Sequence, residues 1–265
     1  MKKLLATSLV LLAIFSLCSV AAQDTCLLDI ALVLDVSGSM NDSWDGSTKI
    51  DVLKDSVKSF IDSQPEDGTR YVGIVSFASS ASVVHSLIKV DDPSDKTSLK
   101  TAVDGLTASG STAMDLGIEE GTNMLIPGSG RADANKVMIV VSDGYPDDDA
   151  AAANAANNAK AQGIVVVGVF IGDASGDGDE FLRDHIAQQP KYPYFINVTD
   201  PNDLPTAFQD LASKICKIAK PTKPVGGVVS PISKFDIVAP WIILLTLPSL
   251  IVLATIIYKK RLQNK

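Results

Sequence analysis

The sequence predicts an α/β fold: a doubly wound, mostly parallel sheet with one antiparallel edge strand, followed by one C-terminal transmembrane helix. Three observations predict it. Short β-branched runs alternate with stretches of helical apolar spacing between residues 27 and 217, as a parallel sheet covered by helices on both faces requires. The runs "LDIALVL", "KVMIVV" and "IVVVGVFI" are almost unbroken in their apolarity, which suits strands buried on both faces. One neighbouring pair, "RYVGIVSFAS" and "ASVVHSLI", has only a short turn near Ser79 and Ser80 between its members. That leaves no room for a crossover helix and so makes an antiparallel edge.

The elements follow in order. Leu27–Leu34 reads as a central strand. Ile50, Leu53, Val57, Phe60 and Ile61 recur at helical spacing, and Thr48 with Asp51 resembles a capping box. After the hairpin, Ser98–Leu106 and Thr112–Leu125 read as helices and residues 136–144 as a second strong strand. "DDDAAAANAANNAKAQG" is a helix with carboxylates at its positive end and Gly163 as its stop. Residues 164–173 form a third buried strand, Asp179–Gln188 a helix, "YFINV" a short last strand and Asp203–Lys217 the last helix.

The ends of the chain read differently. "MKK", the apolar run Leu4–Val20 and small residues at "VAA" suggest a secretory signal peptide over residues 1–22. Residues 23–219 are the expected domain and the Pro- and Gly-rich residues 220–235 an extracellular stalk. Residues 236–258 are the expected membrane helix. Its uncharged part, Ile237–Tyr258, would span ~33 Å against a hydrocarbon core of ~30 Å. The basic tail 259–265 then lies on the cytoplasmic side. This is the layout of a single-pass type I protein, with its domain at the cell surface. Residues 24–236 hold all 31 acidic and 17 of the 23 basic side chains. So acidic a region opposes nucleic acid as partner and suits a cation. Of three cysteines, Cys18 would leave with the signal peptide. Cys26 and Cys216, one at each end of the domain, are expected to pair in an oxidising compartment.

In open α/β sheets ligands bind at the carboxyl ends of strands. Three oxygen-rich turns fall at or beside such ends: Asp35, Ser37 and Ser39 in "DVSGSM", Thr112 in "SGSTAMDLG", and Asp143 in "VSDG". Each alone is an ordinary turn. In this order, each at the end of an alternating element, they offer two carboxylates and three hydroxyls, a donor set for a hard divalent cation. With these motifs the chain resembles a von Willebrand factor type A (VWA) domain from about Asp24 to Ala219. "DVSGSM" looks like the family's Asp-x-Ser-x-Ser, "GST" carries its Thr and "SDG" its Asp. The resemblance implies a metal-ion-dependent adhesion site formed by Asp35, Ser37, Ser39, Thr112 and Asp143. It implies Mg²⁺ as the usual ion, with Mn²⁺ or Ca²⁺ as alternatives, and an extracellular protein partner whose acidic residue completes the site.

Other residues add detail. Trp44 and Asp42, just past the first metal turn, are candidate ligand contacts, and Trp44 reads equally as a loop residue folded back on the domain. Asn197, in "NVT", is a candidate glycan acceptor. "DASGDGDEFLRD" half matches a calcium loop but ends in Asp184, and reads better as a turn before a helix. There is no nucleophile elbow, phosphate loop or zinc spacing, so the chain reads as a non-enzyme. The expected function is that of a surface adhesion or receptor protein. The alternative is an assembly or structural subunit of a membrane complex.

Overall fold

The computed structural model describes residues 26–126, 128–172 and 177–219. The expected signal peptide, stalk, membrane helix and tail lie outside these residues, as do the first four residues of the half-matched calcium loop. No helix among the described residues is long and apolar enough to cross a membrane.

Strand β1 is Leu28–Asp35, and a 3₁₀ turn, Gly38–Asn41, follows it. A two-stranded ribbon, β2 (Ser43–Trp44) and β3 (Ser47–Thr48), leads into helix α1 (Lys49–Asp62). Next come β4 (Arg70–Phe77), β5 (Ala81–Val90), α2 (Pro93–Asp104), α3 (Met114–Leu125), β6 (Asn135–Ser142), α4 (Asp149–Ala161) and β7 (Ile164–Ile171). The described residues end with α5 (Asp177–Phe181) and a π turn (Leu182–Ile186), then α6 (Lys191–Tyr194), β8 (Phe195–Val198) and α7 (Leu204–Ile218).

The main sheet has the order β5-β4-β1-β6-β7-β8. All neighbours in it are parallel except β4 and β5, which gives the predicted antiparallel edge. The chain steps from β1 to β4 on one side and returns to β6 on the other, so the crevice between β1 and β6 opens at a topological switch point.

Strand β1 is buried along its whole length, and its alternate residues feed two separate cores. Leu28, Ile30, Leu32 and Leu34 pack with Leu53, Val57 and Phe60 of α1 and with Phe208, Leu211 and Ile215 of α7. Phe60 and Phe208 meet edge to face, their ring centroids 5.9 Å apart. Ala31 and Val33 point the other way, into Met114 and Ile118 of α3, the alanine face of α4, and Phe181 and Leu182. Period-2 side chains on β1 against period-3.6 stripes on the helices thus produce the two layers.

Several boundaries differ from the sequence reading. Helix α2 starts five residues before Ser98, because Asp92 caps it, Pro93 occupies its first turn, and Asp95 reaches back to the backbone of Asp92. Helix α3 starts at Met114, and Thr112 lies in the loop before it. The backbone N–H of Thr112 is used by Asp147 Oδ2 at 3.0 Å, and its carbonyl accepts from the N–H groups of Asp147 and Met114. The expected helix Asp179–Gln188 is one short α segment continued by a π turn.

The end of the sheet away from the crevice holds a buried charge. Asp29 is fully covered. It accepts from Arg131 Nε at 2.7 Å, Arg131 N at 2.6 Å and Lys136 Nζ at 2.5 Å, and the Arg131 guanidinium lies 4.0 Å over the ring of Tyr71. Near the same end Cys26 is joined to Cys216 of α7, with Cα atoms 6.0 Å apart and a sequence separation of 190. The carbonyl of Cys26 also accepts from Arg70.

A candidate cation site at the strand ends

Asp35 is the last residue of β1 and has no exposed surface. Its Oδ1 accepts from the backbone of Ser37 at 2.7 Å, which folds the following turn back over the strand end. Its Oδ2 accepts from Ser142 Oγ, at the end of β6, at 2.6 Å. Ser37 is buried and its hydroxyl lies 3.1 Å from that of Ser39. Ser39 Oγ in turn donates to Asp143 Oδ1 at 2.8 Å. Asp35, Ser37, Ser39 and Asp143 therefore form one continuous cluster across the β1–β6 crevice, although more than a hundred residues separate its two halves.

Thr112 reaches this end of the molecule through its backbone. Gly38 N donates to Gly110 O at 2.9 Å, Ser111 N to Ser79 Oγ at 3.0 Å, and Ala113 N to Ala78 O at 2.7 Å. Gly110 sits at φ +88°, and a Cβ there would lie 2.6 Å from Ser79 Oγ, so only glycine suits both the conformation and the approach. These ties hold the Thr112 loop against the Gly38 turn; no side-chain hydrogen bond joins Thr112 to the other four.

Burial pushes the Asp35 carboxyl up to about 6, against hydrogen bonds from Ser142 and Ser37 that lower it; the nearby Asp143 charge also raises it. An uncompensated carboxylate here is costly, and an adjacent cation relieves that cost. The oxygen spacing suits such an ion. Neighbouring oxygens on an octahedral Mg²⁺ with bonds of ~2.0–2.1 Å lie about 2.9 Å apart. The Ser37–Ser39 and Ser39–Asp143 separations, 3.1 and 2.8 Å, match two edges of that polyhedron. Among the described residues no group of three or more His, Cys, Asp or Glu gathers at one point, so a cation here depends on hydroxyls as well as carboxylates.

Two further features were not read from the sequence. Lys49, the first residue of α1, donates from Nζ to Asp143 Oδ2 at 2.6 Å. Tyr145, two residues past Asp143, is 46% exposed on the same rim; its ring lies 5.0 Å from Phe181 and its hydroxyl donates to Asp149 Oδ2 at 3.1 Å. Its place beside "SDG" was a usable signal. The Lys49 contact spans 94 positions and had none.

Of its two readings, Trp44 takes the one folded back on the domain and not that of an exposed ligand contact. It is 7% exposed, and its indole N–H donates to the carbonyl of Thr199 at 3.2 Å. The cause is the β2–β3 ribbon, whose two turn residues, Asp45 and Gly46, both have positive φ, +47° and +88°. The Asp-Gly pair is a strong hairpin signal, and it folds Trp44 inward. Asp42 stays out, its side chain 69% exposed. Asn197 is exposed on the edge strand β8.

A doubly wound α/β domain with an oxygen-lined crevice at its switch point is the class that fold and site define together. The chain belongs to the von Willebrand factor type A domain family, whose model matches residues 29–210. It is 29% identical over 167 residues to the human collagen alpha-1(VI) chain, a stretch covering 58% of this chain and 16% of the collagen chain; the mouse collagen alpha-1(VI) chain matches equally. Among solved structures it is similar to the pilus adhesin SpaC from Lactobacillus rhamnosus GG, with TM-score 0.62 and 19% identity over 74% of this chain and 31% of that one. It is also similar to proximal thread matrix protein 1 from the mussel byssus, solved with a zinc-occupied MIDAS motif, with TM-score 0.56 and 22% identity over 72% and 46% of the two chains. Identities this low establish the fold.

Proposed function

We propose that this chain is a surface adhesion or receptor protein whose VWA domain binds an extracellular protein through a divalent cation, Mg²⁺ by preference, held by Asp35, Ser37, Ser39, Thr112 and Asp143. The observation that carries the reading is the convergence of two carboxylates, Asp35 and Asp143, with the Ser37 and Ser39 hydroxyls in one cluster at the β1–β6 crevice. Bound there, the cation supplies an electrophilic centre for a partner's carboxylate oxygen. The chain's own residues set the rest. Asp35, locked by Ser37 and Ser142, supplies charge from below. Ser37 and Ser39 present neutral oxygens, which add no charge beyond the two carboxylates and leave the ion receptive to a further anion. Thr112 is positioned by its backbone ties, so its hydroxyl is available to the ion. Asp42 and Tyr145 stand exposed on the rim, and Tyr145 is the better placed aromatic anchor for a partner. The adhesin and matrix proteins among the similar structures fit this reading, as do the expected signal peptide, stalk, membrane helix and disulfide.

Display of the full chain on cells tests the proposal. Capture of an extracellular ligand is expected to be reversed by EDTA and abolished by Thr112→Ala. Binding that survives both EDTA and Thr112→Ala would exclude the metal-bridged mechanism.

A further inference from the structure

The position of Lys49 is unusual on two counts. It opens α1, where the positive end of the helix dipole disfavours a cation. It also directs its ammonium into the cluster that is meant to receive a metal: Nζ lies 2.6 Å from Asp143 Oδ2, while the other oxygen of that carboxylate accepts from Ser39. The contact is a covered one, with the Lys49 side chain 16% exposed and that of Asp143 not exposed at all. The stem passes over Gly172, where an added Cβ would meet Cε at 3.6 Å and Nζ at 3.8 Å. A second carboxylate, Asp42 Oδ2, stands 3.9 Å from Nζ on the exposed rim.

We propose that Lys49 is an internal counter-cation of the site, which neutralises Asp143 in the metal-free protein and competes with the divalent ion for that carboxylate. The proposal rests on the metal reading above and adds a regulator to it. Asp35 and Asp143 bring two negative charges; a divalent ion already balances them, and an ammonium on the same carboxylate adds like-charge repulsion at short range in a poorly solvated place. Loading the site therefore favours transfer of the ammonium from Asp143 to Asp42. The positive charge then moves from the floor of the crevice to its rim, where an acidic partner approaches. Lys49 thus lowers the resting affinity for the ion and couples loading of the site to attraction of the partner.

The test is calorimetric titration of Mg²⁺ into the EDTA-stripped full chain. Wild type is compared with Lys49→Met, Lys49→Gln and Lys49→Arg, with folding of each verified by circular dichroism. Both neutral variants are expected to bind Mg²⁺ at least about tenfold more tightly than wild type, since repulsion of a dication by one nearby ammonium exceeds that cost. Lys49→Arg keeps the charge and should keep the wild-type affinity. Binding by the neutral variants alone would support the proposal in its strongest form, with Lys49 closing the wild-type site. Wild-type binding unchanged or weakened in both folded neutral variants would overturn the role of Lys49 and leave the metal reading standing. Absence of binding in every variant, with Mn²⁺ and Ca²⁺ as well, would overturn both.

Discussion

At the scale of single residues, the behaviour of Asp35 follows from its burial. Its carboxyl is pushed up to about 6 from an ordinary value of 3.8, chiefly by desolvation. A carboxyl that holds its proton longer when folded contributes stability that is fully present below the unfolded value and is lost as pH rises through the folded value. In EDTA, wild type and the isosteric Asp35→Asn variant are therefore expected to be about equally stable near pH 4. By pH 7.5 the variant is expected to be the more stable, by on the order of 2–3 kcal/mol. Denaturant unfolding at the two pH values checks this, and a variant no more stable at pH 7.5 would show that Asp35 is not held at such a cost. Asp35 was legible because it ends an apolar run and begins a spaced set of oxygens. The direction in which Trp44 points was not, since it depends on a two-residue ribbon docking on the Thr199 carbonyl.

At the scale of elements, β1 carries a charge at each end, and the two do different work. Asp35 faces the crevice. Asp29 is sealed at the other end by Arg131 and Lys136. Breaking a buried ion pair by removing one partner typically costs 3–5 kcal/mol. Asp29→Ala is expected to lose about 3 kcal/mol, as both cations keep some solvent contact, and a denaturant midpoint unchanged from wild type would contradict that. In the sequence Asp29 is simply a polar residue near the start of an apolar strand. Its partners sit in the loop before β6 and in β6 itself, 102 and 107 positions away, beyond the reach of local pattern. The same limit hid Lys49. Elements with strong period and caps were legible: β1, β6, β7, α1 and α4 fall where alternation and capping residues put them. The start of α2 was missed although Asp92-Pro93 marks it, and α3 was read two residues long because Thr112 resembles a cap while its backbone is tied to Asp147.

At the scale of the whole molecule, parallel order and the antiparallel edge followed from alternation and from one short turn. The pairing order across β1 places Asp35 beside Ser142 and makes the crevice, and it depends on contacts no single segment encodes. Cys26, two residues before β1, is tied to Cys216 of α7. In the chain-entropy model so long a closed loop gives ~5 kcal/mol. Replacing both cysteines by alanine is expected to lower the unfolding temperature in an oxidising buffer and to leave it unchanged relative to wild type in a reducing one. Equal stability in both buffers would show that the bridge contributes little.

The account turns on a cation held between β1, the Thr112 loop and β6. Thermal unfolding of the full chain with EDTA, Mg²⁺, Mn²⁺ or Ca²⁺, beside Asp35→Ala, tests it most directly. An ion at a hundred times its dissociation constant should add ~2.7 kcal/mol to wild type and nothing to the variant. If no ion raises the unfolding temperature of wild type or of Lys49→Met, or if Asp35→Ala responds equally, the oxygens at the strand ends serve only to cap turns and the proposed function fails.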